Sequence, residues 1–339
     1  MLLPKLLART CALLACVTFG HAAPARADLM WGINGHPVVS YPGVSIETQL
    51  DLVKDLGMKS YRVDLYSTDQ MDALAKLIAA GKARGVEILP ILIPHLDLEK
   101  LSEDEIHKQA YAMAETFVAR FKDDVSVWEL GNEMEIFALI HPCEMRDDGT
   151  QYPCEWGMPG GVGPLDYYGP RYVKVAAALR GLTEGARAAS PTVRRAIGTA
   201  GWGHLGIFER LDNDGIQWEI TVWHMYGEDP EEPFKTLVEY GKPIWVTEFN
   251  HPNGSQKSEK EQAEGLRRTM LRLRELSGPY KVEAAHIYEL LDETYWAPNF
   301  EAYMGLVRLD ARPQGGWMLG KTKPAYSAVK KTISTGAPR

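Results

Sequence analysis

Eight short, β-prone runs punctuate this 339-residue chain, and each is followed by an amphipathic helical stretch or a long connection. The runs are Leu29–Asn34, Ser60–Leu65, Val86–Ile93, Val125–Leu130, Arg195–Ala200, Ile220–Tyr226, Ile244–Thr247 and Val282–Tyr288. Several are continuously apolar, Ile88-Leu89-Pro90-Ile91-Leu92-Ile93 above all, as strands covered on both faces are. Pro90 inside that run weakens it as a central strand. The intervening stretches read as helices over 45–56, 104–121, 171–189, 233–240, 258–276 and 324–333. A further one after Ser67 and Gln70 opens on a capping box and continues with Leu74, Leu77 and Ile78 at helical spacing. This alternation predicts an α/β chain folded as a single closed (β/α)8 TIM barrel. An open doubly wound sheet is the runner-up, but no glycine-rich turn follows the first strand. Gly160-Gly161-Val162-Gly163 lies inside a long loop, where it cradles no phosphate.

Residues 1–27 read as a signal peptide, and the barrel domain as 28–339. Lys5 and Arg9 make a positive start, Cys11 to Gly20 is apolar, and Ala25-Arg26-Ala27 resembles a small-residue cleavage site. Cleavage would remove three positive charges and take the net charge from −8 to −11. Export to the periplasm or the medium is expected, with lipidation of Cys16 as the minor alternative. The apolar stretch is too short to span a bilayer, and no later segment is long and apolar enough. With no dense basic run, a nucleic-acid backbone or an anionic membrane is a poor partner.

Two of the four cysteines lie in the signal; the others, Cys143 and Cys154, enclose a polar, turn-rich loop. In an oxidising compartment this pair is expected to form a disulfide; the alternative is two free thiols. The surrounding stretch, Phe137 to Gly169, is the longest irregular segment, and on a barrel it would stand over the mouth, where active sites are found.

Two segments carry the chemistry. Trp128-Glu129-Leu130-Gly131-Asn132-Glu133 ends the fourth strand, and Trp245-Val246-Thr247-Glu248-Phe249-Asn250 ends the seventh. Strands four and seven lie on opposite sides of an eight-stranded ring, so Glu133 and Glu248 would face one another across it. Glycoside hydrolysis needs such a pair, one carboxyl to protonate the leaving oxygen and one carboxylate to attack. About 5–5.5 Å between them predicts retention and about 6.5–9.5 Å inversion.

On these motifs the sequence resembles the retaining (β/α)8 glycoside hydrolases of clan A, and is most similar to families 39 and 5, including exported bacterial enzymes that act on exopolysaccharide. The resemblance implies Glu133 as acid/base, Asn132 as the partner of the sugar 2-hydroxyl and Glu248 as nucleophile. It places Arg62 beside the nucleophile and matches His224-Met225-Tyr226 to a frequent strand-six motif. Lys323-Pro324-Ala325-Tyr326 looks like the final barrel helix of such enzymes. Strand eight departs from the pattern, because it lacks the tryptophan that many members place there. The implied substrate is a polysaccharide or oligosaccharide, such as an exopolysaccharide or a plant-wall β-glycan; a transglycosylase or a non-catalytic sugar-binding barrel are the alternatives.

Elementary electrostatics agrees with these roles. Arg62 cannot lose its charge, so beside Glu248 it keeps that carboxylate ionised, and a Tyr226 hydroxyl would orient it. Glu133, near an ionised Glu248 and partly desolvated, is expected to be raised and protonated. Glu129 reads as a buried structural carboxylate, and Glu135 as a competitor for the acid role. Glu289, Asp292 and Glu293 are either sugar-binding acids or solvated loop charges, with Glu289 preferred. His95 is either a pocket residue or a loop histidine. Trp202 and Trp296 are the tryptophans expected to stack on sugar rings. Asn250 and His251 would support the nucleophile from behind. No cofactor is expected. No metal is expected either, because there is no His-Glu-x-x-His and no close His/Cys cluster; no Gly-x-Ser-x-Gly points to a serine hydrolase.

Overall fold

The computed structural model describes residues 29–336. The signal peptide reading falls on residues outside this range. Among the described residues, eight parallel strands close into a barrel in chain order: β1 (Met30–Gly35), β2 (Ser60–Leu65), β3 (Glu87–Leu92), β4 (Val127–Leu130), β5 (Arg194–Thr199), β6 (Ile220–Met225), β7 (Ile244–Phe249) and β8 (Val282–Ile287). β8 pairs back onto β1, so the expected (β/α)8 barrel is the fold. Among the described residues no helix is long and apolar enough to cross a membrane.

Helices alternate with the strands: α1 (Ile46–Leu56), α2 (Met71–Lys82), α3 (Glu103–Phe121), α4 (Gly169–Ala189), α5 (Gly206–Asn213), α6 (Glu231–Leu237) and α7 (Glu259–Leu276). α8 (Pro324–Thr335) closes the ring against α7 and α1. Local sequence starts and stops them. Ser45 accepts from the Thr48 amide at the head of α1, and Gly57 ends that helix in the left-handed region. Ser102 and Glu105 form a reciprocal capping box on α3. The expected Ser67–Gln70 box is present on the 3-10 turn that leads into α2, whose Leu74, Leu77 and Ile78 are buried.

The interior of the barrel is apolar at one level and polar above it. Leu89, Val127, Ala196, Ile220, Val222, Trp245 and Ala284 form a closed cluster inside the ring. Further along the strands the buried residues become Asn34, Arg62, Glu129, His224 and Thr247. Pro90 is tolerated because β4 pairs only with Ile91 and Leu92 of β3, so the proline faces no ladder partner on that side.

Two elements lie outside the sequence expectation. α5 is eight residues long, and a hairpin, β9 (Val307–Ala311) with β10 (Trp317–Thr322), follows the barrel. Both are too short to show a periodicity in sequence.

Cys143 and Cys154 are joined as expected. No residue of their loop lines the cavity at the strand ends, however. Arg171 holds the carbonyls of Phe137 and Leu139 with Glu144, and Arg210 holds those of Pro164 and Tyr167 with Asp147. These two arginines tie the loop to α4 and α5. Replacing both cysteines by serine should therefore cost about 3 kcal/mol of stability, the entropy of an eleven-residue separation. Thermal unfolding with and without reductant measures the cost, and hydrolytic activity should survive below the lowered Tm.

Candidate active site

The strands end around a cavity of about 800 Å³. On its floor, Arg62 of β2 uses all five of its donors. Nε and Nη2 fork onto Glu129 of β4 at 2.8 and 2.7 Å; Nη1 reaches Glu248 at 2.7 Å and Asn34 at 2.8 Å; Nη2 also reaches Asn132 at 3.0 Å. Glu129 is thus the buried structural partner, as expected. Glu129→Leu would leave this buried guanidinium short of its main counter-charge, and should cost about 3–5 kcal/mol in urea unfolding. A cost below about 1 kcal/mol, the range of an exposed pair, would contradict the pairing.

Glu248 reaches the cavity through a register shift. Along β6 and β7, Trp223 pairs with Val246 and His224 pairs with Glu248, so Thr247 is an extra residue. Strict alternation would turn Glu248 away from the side that Thr247 faces; the bulge lets both point inward. Thr247 meets His224 and Glu129, while Glu248 receives Arg62 on one oxygen and the Tyr226 hydroxyl, at 2.7 Å, on the other. With both oxygens held and 7% exposure, its carboxylate is fixed in place.

Glu133 stands opposite, after the turn at Gly131, with φ 47° in the left-handed region. A non-glycine residue there stores roughly 1–2 kcal/mol, strain of the kind that collects at functional sites. Oxygens of Glu133 and Glu248 lie within 4.8 Å of one another. His224 lies between them, its Nδ1 2.8 Å from Glu133 and 3.5 Å from Glu248.

The protonation of Glu133 runs against the expectation from sequence. Burial pushes its carboxyl up, but the His224 hydrogen bond, then the charges of His224 and Arg62, bring it below the ordinary range. For His224 the reverse holds: burial lowers it, yet the charge on Glu248 and the bond to Glu133 raise it above its ordinary value. Hydrogen-bond bookkeeping explains the pairing. The Thr247 hydroxyl donates to Glu129, so His224 Nε2 must donate to that hydroxyl, and the Nδ1–Glu133 contact then holds one shared proton.

The remaining expected residues divide. Asn132, Trp202, Tyr226 and Trp296 line the cavity, the tryptophans 74% and 54% exposed. The hydrogen bond of the Asn132 side chain to Arg62 pins its carbonyl oxygen, which leaves the amide nitrogen toward the cavity. His224 lies beneath the surface and acts on Glu133, not on the cavity directly. Two candidates are displaced. His95 is exposed and stacks against Tyr66, which itself lines the cavity. Glu289 is fully buried behind His36, where burial and the Glu293 charge push its carboxyl up to about 8, and it accepts from Tyr41. Glu135 is no rival acid: it is buried, accepting from the Ala200 amide and meeting His204, and so fixes the loop that presents Trp202. Asp292 is paired with Lys323. Asn250 holds the Tyr288 and Met304 carbonyls behind β7.

His36 and Asp64, 2.5 Å apart, form a wall that sequence reasoning missed. Asp64 sits two residues beyond Arg62 on the same strand, so period-two alternation could have found it. The segment after β8 brings Glu293 and Trp296, both named from sequence, to the cavity wall together with Tyr295, Phe300 and Glu301, which sequence reasoning missed. Two groupings bring three ligand atoms within 4.8 Å, Glu133–His224–Glu248 and His36–Glu289–Glu293, and these are where a cation could be held. In each, one imidazole nitrogen is already bonded to a carboxylate.

A family model described as the glycosyl hydrolase catalytic core matches residues 171–283, a span from α4 to β8 that includes His224, Tyr226 and Glu248. No curated protein matches the chain by sequence. Solved structures share the fold. Beta-glycosidase BGL167 superposes with a TM-score of 0.62 at 14% identity, over 94% of this chain and 99% of its own. The family 1 β-glucosidase from Thermotoga maritima gives 0.65 at 11% identity, over 91% and 98%. Virulence factor SghA from Agrobacterium tumefaciens gives 0.62 at 14%, over 90% and 97%. The match to a glycosyl hydrolase catalytic core over 171–283, within a closed eight-stranded parallel barrel, supports a glycoside hydrolase and is consistent with the (β/α)8 enzymes of clan A.

Proposed function

We propose that the protein is an exported, retaining β-glycosidase that cleaves a β-linked polysaccharide by double displacement, with Glu133 as acid/base and Glu248 as nucleophile. The observation that carries this reading is the approach of one oxygen of each carboxylate to within 4.8 Å, near the separation of retaining enzymes and below the about 6.5–9.5 Å of inverting ones. Glu248, held by Arg62 and Tyr226, attacks the anomeric carbon and forms an ester while Glu133 gives its proton to the leaving oxygen. Loss of the Glu248 charge then frees Glu133 to take a proton from water, which displaces the ester. Asn132 offers its amide nitrogen to the 2-hydroxyl. Structures of the same fold support the β configuration and a sugar substrate: one is named a β-glycosidase and another a β-glucosidase, and one SghA structure holds the substrate analog salicin. An open cavity flanked by Trp202 and Trp296 suits a polymer. Export rests on residues 1–27, and the disulfide suits an oxidising compartment.

A screen of β-linked polysaccharides with product sizing tests the reading. Cleavage of small aryl glycosides alone, with every polymer left intact, would overturn the polymeric substrate.

The shared proton gives a pH prediction. His224 titrates above 6.5, so the pair keeps its proton, and the acid step its source, until the pH rises through that raised value. In His224→Gln the proton must rest on Glu133 alone. The alkaline limb of kcat/KM should then move acidward by about one unit, as a pH–rate profile will show; an unmoved limb would contradict the role given to His224.

A further inference from the structure

We infer that the glycan held in this cavity carries free amino groups, as an N-deacetylated hexosamine chain does, and carries no carboxylate or sulfate. This deepens the proposed function, because it takes the cavity to be the glycan site.

The argument is a balance of charge. Arg62 is one cation shared by two carboxylates, Glu129 and Glu248, while His36 is matched by Asp64 and His224 by Glu133. Two carboxylates of the cavity wall are left over, Glu293 and Glu301, both in the segment after β8. His36 Nδ1 bonds Asp64 at 2.5 Å, while Nε2, which makes no hydrogen bond among the described residues, stands 3.2 Å from Glu289 and 3.8 Å from Glu293 Oε1, so one imidazole faces three carboxylates. Glu293 is 5% exposed, and its side-chain hydrogen bond, from the Tyr295 hydroxyl, also falls on Oε1. Its Oε2 has no partner among the described residues and is not sealed in the protein, so its residual exposure opens on the cavity. The Glu301 carboxylate makes no ion pair or hydrogen bond among the described residues. Burial and then the charges of Glu293, Glu133 and Glu248 raise its carboxyl, which marks the mouth as a region of negative potential.

Beside these acids stand Tyr295, Trp296 and Phe300, each 40% or more exposed. Aromatic faces attract ammonium groups as well as stacking on sugar rings. A carboxylate oxygen without a partner, open to the cavity from a largely buried residue and set within an aromatic wall, suits a cation better than a neutral hydroxyl, and repels an acid outright. An amino sugar seated beside Glu293 and Glu301, next to the ring whose 2-hydroxyl meets Asn132, supplies an ammonium group on an otherwise uncharged ring.

Calorimetry on the Glu133→Gln protein, which leaves Glu248, Glu293 and Glu301 in place, tests this with three tetrasaccharide probes: glucosamine, N-acetylglucosamine and a uronic acid. The glucosamine tetramer should bind about tenfold tighter than the acetylated one at low salt, and the uronide should not bind. The preference should shrink several-fold at high ionic strength. Glu293→Gln and Glu301→Gln should each reduce it by about fivefold, the upper range for a partly exposed pair. Equal or tighter binding of the acetylated or acidic probe, or a preference unmoved by both substitutions, overturns the inference. If the wild type hydrolyses neutral glycans and no charge preference exists, only this inference fails. If the preference holds and no glycan of any charge is cleaved, the inference stands and the hydrolytic reading falls.

Discussion

Glu248→Gly is expected to reduce hydrolysis of an aryl β-glycoside by a factor on the order of 10⁵, because no group remains to form the ester. Azide should restore turnover by entering the space of the missing carboxylate. It would attack from the face that Glu248 occupied, so the product should be the α-glycosyl azide, the anomer opposite to the substrate. The fold should persist. Arg62 loses one partner but keeps the two-pronged bond to Glu129 and its contacts to Asn34 and Asn132. A variant that stays folded yet shows neither loss nor rescue would remove Glu248 from the nucleophile's place.

Glu133→Ala should divide substrates by leaving group. An alkoxide leaving group needs the proton, so sugar–sugar bonds should be cleaved about 10²–10⁴-fold more slowly. A dinitrophenolate needs none, and its release should be nearly unchanged, with slow hydrolysis of the ester as the new limiting step. Azide added to this variant should give the β-glycosyl azide, since Glu248 still forms the intermediate. Equal losses for both substrate types would count against the acid. The contrast between the two azide products assigns both glutamates without reference to any relative.

The strands, and with them the positions of Glu133 and Glu248, are legible because a barrel strand is a short apolar run whose end can be located. Arg62 and Tyr226 follow from their strands, and both touch Glu248. Side-chain direction is less legible. The inward turn of Glu248 depends on the bulge at Thr247, and a one-residue register shift leaves no compositional mark. The sign of the Glu133 shift departs from expectation for a related reason. Burial and proximity to Glu248 are visible in the motif, but the opposing hydrogen bond comes from His224, ninety-one positions away on β6. His95 and Glu289 are displaced because a strand-end residue can lie in front of the wall or behind it, and neighbouring strands decide which. Tyr66 screens His95, and His36 screens Glu289. In the segment after β8, Trp296 and Glu293 stand out in the sequence, but Tyr295, Phe300 and Glu301 follow no period, and only the fold brings them to the mouth.

The central claim is that a covalent sugar ester on Glu248 lies between bond cleavage and release. Proton NMR of the sugar released first from a β-linked substrate, read before mutarotation, tests it most directly. The account predicts the β-anomer as the initial product, relaxing later to the equilibrium mixture. An initial α-anomer would mean direct attack by water and would contradict it.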